Sequence, residues 1–208
     1  ATPEGEVRAK HVVFATNGYT NERLHPCLNG GLLPVNSNII VTTPMSAEQQ
    51  AACNFVTTDS LTDTKKFINY FRRLPDNRIM LGSRGPFREG GSDAHSQWLL
   101  GNIARKFPPL KGLKVDYYWG GWVAITYDNT PHLSCAEDDP TLLYSLGYCG
   151  SGVTAATQAG RRMAEHLGAG APLMPALNTR LPRFPMSRFR RLGQKLAFQW
   201  FRVQDMLS

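Results

Sequence analysis

The 208-residue sequence lacks any run of about 18 consecutive apolar residues, the length that a membrane-spanning helix requires. Its first residues have neither the apolar core nor the small-residue cleavage site of a secretory signal peptide. The four cysteines are widely spaced and form neither a CxxC pair nor a Cys/His cluster, which excludes the common zinc motifs and disulfide frameworks. We therefore expect a cytoplasmic protein with reduced thiols, no transmembrane segment and no bound metal.

Two glycine-rich phosphate-binding motifs are also missing. The sequence contains no GxGxxG fingerprint and no Walker A loop. It does have 42% hydrophobic residues, which is enough to bury one sizeable core or two small ones. The composition predicts a globular protein, and these 208 residues contain no dinucleotide-binding fingerprint.

Positive charge is concentrated near the end of the sequence. The net charge is +7, and the segment from Thr179 to Ser208 has seven basic residues against one acidic residue. Aromatic residues alternate with these bases, a pattern that suits either an anionic surface or a C-terminal helix that packs its aromatic face on the body. We favour the helix, because Pro182 and Pro185 suit a packed connector. No nucleic-acid-binding motif is present, so no nucleic-acid partner is expected.

The chain alternates predicted strands and helices, and strands dominate its middle. Apolar runs and period-two alternation predict strands at 7–15, 67–71, 79–82, 113–128 and 142–146, and one centred on 39–43 within the segment 32–45. Helical periodicity predicts helices at 47–53, 92–107 and 151–170. The run from Val12 to Ala15 is apolar on both faces, which is typical of a strand buried in a covered sheet. Because strand–turn–helix segments lie at both ends, the two ends are expected to form one domain and the middle another.

The stretch LGYCGSGVTAAT follows the predicted strand Leu142 to Leu146 and precedes a helix that begins near Ser151. Its glycines are spaced GxxGxG, which matches neither phosphate-binding motif. The free amides and the positive dipole end of the helix favour an anionic or electron-rich ligand over this turn. On the residues alone, a plain strand-to-helix turn without a ligand is equally expected.

Four segments occur in the same order as in the D-amino-acid oxidase-like family of FAD-dependent oxidoreductases. They are VVFATNGYT, YFRRLPDNRIMLGSRG, WGGWVAITYDNTPHL and LYSLGYCGSGVTAATQAGRRMAEHL. The sequence most resembles the gamma-glutamylputrescine oxidase-like amine oxidases of this family, over nearly its whole length. The resemblance implies an α+β and α/β fold, in which an antiparallel-sheet substrate domain accompanies part of a glutathione-reductase-like FAD-binding domain. It assigns 1–30 and 126–170 to the FAD-binding domain, 31–125 to the substrate domain and 171–208 to a basic amphipathic tail.

The resemblance also implies which residues contact the cofactor. A segment that ends the first strand lies beside FAD, a glycine pair and the turn after it approach the flavin, and the GxxGxG turn covers the pyrimidine end of the ring. These residues are Ala15, Thr16, Asn17, Gly18, Gly120, Gly121, Thr126, Asp128, Gly147, Tyr148, Cys149, Gly150, Ser151, Gly152, Val153 and Thr154. Amides at a helix N-terminus would stabilise the negative charge of reduced flavin. No residue is assigned as a catalytic acid or base.

The implied reaction is the oxidation of an amine or amino acid by hydride transfer to non-covalently bound FAD, followed by imine hydrolysis and reoxidation by oxygen to give hydrogen peroxide. In glycine-oxidising relatives, an arginine within a WxGxR stretch clamps the substrate carboxylate, and that position is Val123 here. This favours an amine, or a substrate held from elsewhere. Tyr70, Arg72 and Trp122 are candidate substrate-binding residues, and Arg84 is a further candidate for the missing anchor.

The family's βαβ unit with its GxGxxG fingerprint is not found in these 208 residues. The sequence thus resembles the C-terminal portion of a longer oxidoreductase, and we expect little or no flavin in the purified chain. A second chain that supplies the missing FAD-domain segment is a possible partner. The alternative function is a truncated, non-catalytic or partner-dependent module that keeps the substrate-domain fold.

Overall fold

The computed structural model of the protein describes residues 4–87 and 93–207. The chain divides into two compact units, each built from segments that are distant in sequence. The first unit contains residues 1–34 and 123–191, and the second contains residues 35–122 and 192–208. The basic tail, 171–208, is divided between the units: 171–191 belong to the first unit and 192–208 to the second.

The described residues form eight strands and four helices. The strands are β1 Val12–Phe14, β2 Leu33–Thr42, β3 Leu61–Thr62, β4 Asn69–Arg73, β5 Ile79–Arg84, β6 Val115–Ile125, β7 His132–Cys135 and β8 Leu142–Leu146. The helices are α1 Ala47–Cys53, α2 Asp93–Lys106, α3 Gly152–Ala169 and α4 Arg190–Leu207. Single 3-10 turns occupy Asn17–Tyr19, Pro26–Leu28, Pro108–Leu110 and Ser187–Phe189.

The first unit contains a three-stranded sheet in the order β1-β8-β7. β1 runs parallel to β8, and β7 runs antiparallel to it. All five residues of β8 are buried, because apolar clusters cover both faces of the strand. Tyr144 and Leu146 pack with Leu28 and Leu181, whereas Leu143 packs with Met163 of α3. The predicted strand from 142 to 146 and the helix that follows it are confirmed.

The predicted strand near the start of the chain differs from the structure. β1 contains only Val12–Phe14, not 7–15, and the side chains of Val12 and Val13 are 49% and 41% exposed. Within the described residues, β1 has a hydrogen-bonded neighbour on one side alone. The prediction that Val12 to Ala15 form a strand buried on both faces is therefore wrong.

The second unit contains a five-stranded sheet in the order β3-β4-β5-β2-β6. The pairs β3/β4, β4/β5 and β5/β2 are antiparallel. β4 and β5 form the hairpin that the sequence predicts, with Phe71 opposite Leu81. Asn77 lies in the connecting turn with a φ of +64°, a left-handed conformation that asparagine tolerates well.

Helix α2 covers one face of this sheet. Leu99 and Ile103 of the helix are fully buried against Ile40, Phe71 and Leu81 of the strands. This period-four apolar pair is typical of a helix that packs on a core. The helix agrees with the prediction for 92–107, although Ser92, the predicted first residue, lies outside the described residues.

Helix α4 presents apolar residues on more than one side. Phe198 is buried and contacts Phe67 edge-on, with ring centroids 5.0 Å apart. Leu192, Leu196 and Trp200 are instead exposed. The interpretation of the tail as a helix that packs its aromatic face is thus correct for Phe198 and wrong for Trp200. None of the helices in the described ranges is long and apolar enough to cross a membrane.

Candidate functional site

Two loops meet at one edge of the first unit's sheet. β1 and β8 are parallel, so the loops that follow them leave the same edge. The side-chain Oδ1 of Asn17 accepts a hydrogen bond from the backbone N–H of Gly147 at 3.0 Å. Asn17 has a left-handed φ of +43°, and its carbonyl accepts a hydrogen bond from the hydroxyl of Thr20. The structure thus brings together two predicted cofactor segments, 15–18 and 147–154.

The glycine-rich turn has a backbone that only some residues tolerate. Gly147 and Gly150 have φ values of +79° and +109°. A Cβ atom on Gly147 would collide with Cγ2 of Thr126, so glycine is required there by both conformation and space. The backbone N–H of Cys149 donates to the carbonyl of Ala124 at 3.1 Å, which fastens the turn to the end of β6.

Helix α3 begins immediately after this turn, at Gly152. The side chain of Ser151 makes no capping hydrogen bond, and the first amides of an α-helix have no acceptor within the helix. Val153 is 89% exposed, and no heavy atom lies within 4 Å of the space beside Gly150. The helix therefore presents uncapped N–H donors and a positive dipole end at an open surface. This donor set fits the electron-rich pyrimidine edge of a flavin, because small residues leave the amides accessible to a flat ring.

Tyr148 and Cys149 direct their polar atoms into the protein. The hydroxyl of Tyr148 lies 2.6 Å from Oγ of Ser145, and both side chains are buried. The thiol of Cys149 donates to the carbonyl of Gly147 at 3.1 Å. These contacts shape the turn, so backbone amides are the groups at this position that remain suited to holding a cofactor.

Thr126 and Asp128 organise the turn between β6 and β7. The hydroxyl of Thr126 donates to the carbonyl of Thr130 at 2.9 Å. Asp128 Oδ1 lies 3.2 Å from Nε2 of the buried His132, whose Nδ1 lies 2.9 Å from Oγ1 of Thr179. Burial opposes ionisation of Asp128, but the hydrogen bonds that it makes to His132 and to the backbone N–H of Thr130 outweigh burial and lower the pKa of this carboxyl. Both predicted residues therefore have structural contacts in the first unit.

The remaining predicted site residues lie in the second unit. They are Tyr70, Arg72, Gly120, Gly121 and Trp122. β6 runs without a break through the glycine pair. A Cβ on Gly120 would collide with the amide of Asn38, which is a packing reason for glycine at that position.

Tyr70 is held against the sheet of the second unit. Its hydroxyl lies 2.8 Å from Oγ of Ser37, and its ring covers Gly82, where any Cβ would collide with it. Burial raises the pKa of the Tyr70 phenol, which keeps it neutral. Ser37 was not anticipated from the sequence, because its position beside Tyr70 depends on the pairing of β2 with β5.

Strand register places Arg84 on the same sheet face as Tyr70. Arg84 pairs with Ser37 across β5 and β2, and Tyr70 pairs with Gly82 across the hairpin. Arg84 is partly buried, which lowers the pKa of its guanidinium. Among the described residues it has no hydrogen-bonding or acidic partner. Arg72 is two residues from Tyr70 on β4 and is exposed.

Comparison with known proteins agrees with this fold. The family model for FAD-dependent oxidoreductases, named DAO, matches residues 1–166. The gamma-glutamylputrescine oxidoreductase of Escherichia coli (strain K12) is 30% identical over 191 residues, which are 92% of this chain and 44% of that protein. A probable oxidoreductase OrdL of Haemophilus influenzae (strain ATCC 51907 / DSM 11121 / KW20 / Rd) is 31% identical over 216 residues, covering 98% and 47%. The chain thus spans just under half the length of these curated relatives.

A solved structure shows the same architecture. The crystal structure of glycine oxidase from Geobacillus kaustophilus superposes with a TM-score of 0.68 at 17% sequence identity, covering 88% of this chain and 48% of that one. Such low identity is informative about the fold alone, which is that of DAO-type flavoenzymes with mixed α/β content and an antiparallel sheet. Together, the family match to residues 1–166 and the order of the elements show that this chain belongs to the DAO family of FAD-dependent oxidoreductases.

Proposed function

We propose that the protein forms part of an enzyme that oxidises an amine or amino acid with non-covalently bound FAD and molecular oxygen, giving an imine and hydrogen peroxide. The observation that carries this proposal is the hydrogen bond between Asn17 and Gly147, which joins two segments that the family uses along the cofactor. The uncapped start of α3, directly after those segments, supports the same assignment.

The residues of the first unit would hold one edge of the cofactor. When bound, FAD supplies the acceptor for the hydride that leaves the carbon beside the substrate nitrogen. The amides of Gly152, Val153 and Thr154 would donate hydrogen bonds to the edge of the ring where negative charge collects. Asn17 would keep the glycine turn in the conformation that presents these amides.

We propose an amine in preference to an α-amino acid as the substrate. The position of the carboxylate-clamping arginine of glycine-oxidising relatives is Val123 here, which cannot pair with a carboxylate. The face of the second unit that carries Tyr70 would contact the substrate, and Arg72 and Trp122 are further candidates on the same sheet. Because the phenol of Tyr70 stays neutral, it can donate or accept a hydrogen bond without repelling an amine.

The test combines the purified chain with a second chain that contains a GxGxxG segment of the same family. We expect little flavin absorbance from the 208-residue chain alone, and stoichiometric flavin with amine-dependent peroxide from the pair. Val153→Glu should lower flavin occupancy at least fivefold, because it places a negative charge beside the ring, while leaving the fold intact at an exposed helix start. Val7→Glu, at another exposed valine of the first unit, is the matched control.

A second candidate function follows from the exposed apolar residues of β1. Val12 and Val13 would suit contact with a partner chain even if no flavin were bound. Association of the two chains without flavin uptake or peroxide formation would reject the enzyme and support a partner-dependent module. Flavin uptake without amine-dependent peroxide would retain the cofactor assignment and reject the proposed substrate class.

A further inference from the structure

The helix-covered face of the second unit's sheet has an apolar half and a polar half. Beneath Leu99 and Ile103 of α2, the strands present Ile40, Phe71 and Leu81. Towards the other end of the same face, the strands present polar or small residues. These are Asn36, Asn38, Asn69, Ser83 and Gly85. An apolar core therefore occupies only part of the space between the sheet and the helices.

The polar half borders a cavity of about 780 Å³ that lies within the second unit. Gly85 lines it, and a side chain there would collide with the buried amides of Asn36 and Asn38. Neither polar atom of the Asn36 amide has a hydrogen-bond partner among the described residues, although the residue is 2% exposed. Buried amides normally have hydrogen-bond partners. The Asn36 amide at this end of the sheet therefore has donor and acceptor atoms that a ligand could use. The volume is that of a typical small-molecule site.

Positive charge predominates at the cavity wall. Five cations line it, against the single carboxylate of Asp205: Lys65, Arg84, Arg105, Lys106 and Arg202. That carboxylate accepts backbone N–H bonds from Lys66 and Phe67 at 2.8 Å and 2.9 Å, so part of its charge is already compensated.

Two of these cations differ in their partners. Lys106 pairs with Asp63 at 2.7 Å, whereas Arg202 has no acidic partner within the described part of the chain. Arg202 lies over the ring of Phe67, 5.9 Å from its centroid. Burial, and then the charge of Arg202, lower the pKa of His95, which agrees with a positive potential inside the cavity.

The cavity also has a flat apolar wall. The rings of His95 and Trp98 stack with centroids 5.3 Å apart and planes 20° apart. Trp98 is 44% exposed, so one side of its indole remains available for contact. A flat wall beside a cluster of cations suits a ligand that joins a ring to an anionic group.

We propose that this cavity binds an aromatic carboxylate, with its carboxylate near Arg202 and Lys65 and its ring against Trp98. The site lies mainly on the helix-covered face of the sheet, and Arg84, which strand register places on the face of Tyr70, lines it at the end of β5. Binding of an aromatic carboxylate there goes beyond the proposed oxidation of an amine. The buried amides near Gly85 would offer hydrogen bonds to polar substituents of the ring.

The probe is 1-naphthoate, titrated into the 208-residue chain by isothermal calorimetry. The comparison compounds are 1-naphthylmethylamine, which carries the opposite charge, and acetate, which has no ring. We expect one molecule of 1-naphthoate to bind per chain, at least tenfold more tightly than either comparison compound. Absence of saturable binding, or equal binding of the amine, would overturn the proposal.

Variants locate the binding. Arg202→Gln and Trp98→Ala should each weaken 1-naphthoate binding at least fivefold, and Arg202→Glu should weaken it more than Arg202→Gln does. Arg188→Gln and Trp200→Ala, at exposed residues that do not line the cavity, are the matched controls. Since Arg202 is exposed, its variants should keep the wild-type melting temperature, so they remain informative if Trp98→Ala misfolds. Wild-type affinity in Arg202→Gln would place the binding elsewhere and reject the site.

Discussion

Asn17 Oδ1 accepts a hydrogen bond from the backbone N–H of Gly147 at 3.0 Å, which ties the loop after β1 to the turn after β8. The two strands pair in parallel, with Phe14 opposite Tyr144, so both loops leave the sheet at the same edge. The Asn17 side chain thus holds the start of the turn from which α3 begins, and the backbone bond from Cys149 to Ala124 holds the turn further along.

Replacing Asn17 by alanine should lower the free energy of unfolding by about 2 kcal/mol. About 1 kcal/mol comes from the lost hydrogen bond, and a similar amount from placing alanine at a φ of +43°. Asn17→Gly removes the same side chain, but glycine adopts this φ freely. This variant should therefore lose only the contribution of the hydrogen bond, about 1 kcal/mol. Urea unfolding of both variants measures the difference. Equal midpoints for the two variants would show that the left-handed backbone is not maintained.

Gly147→Ala should destabilise the protein by about 3 kcal/mol, because its Cβ would collide with Thr126 at a φ of +79°. Gly150→Ala is the matched control, since its φ is also positive but its surroundings are open. It should cost about 1 kcal/mol, the conformational part alone. Thermal unfolding measures both losses.

Thr126→Ser removes the methyl group that a Cβ at Gly147 would meet, so it should recover part of the loss in the double variant. If the stability changes of Thr126→Ser and Gly147→Ala simply add in the double variant, the collision is not the cause of the instability.

The sequence was sufficient to predict the turns and the hairpin, but not which apolar surfaces are covered. Gly147 and Gly150 are recognisable because glycine has a specific conformational role. An apolar run such as Val12–Phe14 reads the same in a central strand and at the edge of a sheet, and its exposure depends on distant partners. The same holds for α4, where Phe198 and Trp200 are equally apolar but only Phe198 is buried.

The candidate site shows the same limit. The order of the family segments predicts cofactor contacts at 15–18 and 147–154, and the structure adds the hydrogen bond that joins these two segments. The neighbours of Tyr70 could not be read from the chain, since Ser37 is 33 positions away and its approach depends on strand register. Long-range pairing, rather than local propensity, decides these contacts.

Asp63→Asn should destabilise the protein by about 2 kcal/mol at pH 7, because the carboxylate accepts hydrogen bonds from Lys106 at 2.7 Å and from Asn69. Burial raises the pKa of Asp63, but these partners outweigh it and lower the pKa below its ordinary value of 3.8. A carboxyl with a lowered folded pKa stabilises the protein above its unfolded pKa and loses this effect as pH falls through the folded value.

The difference in unfolding free energy between wild type and Asp63→Asn should therefore be full above about pH 5 and decrease as the pH falls below 3.8. Urea unfolding between pH 3 and pH 7 measures it. Asp59→Asn, which removes an exposed carboxyl from the loop before β3, is the matched control. A difference that stays constant across this range would mean that the Asp63 carboxylate does not gain stability from Lys106.

The two sides of α4 should respond differently to truncation. Phe198 is buried between the rings of Phe67 and Phe87, with centroids 5.0 Å and 5.1 Å away, so Phe198→Ala should cost about 3 kcal/mol. Leu196→Ala, at an exposed residue two positions earlier, should change stability by less than about 0.5 kcal/mol. Urea unfolding and helical circular dichroism measure both. A loss for Leu196→Ala as large as that for Phe198→Ala would show that a second surface covers the exposed side of the helix in solution.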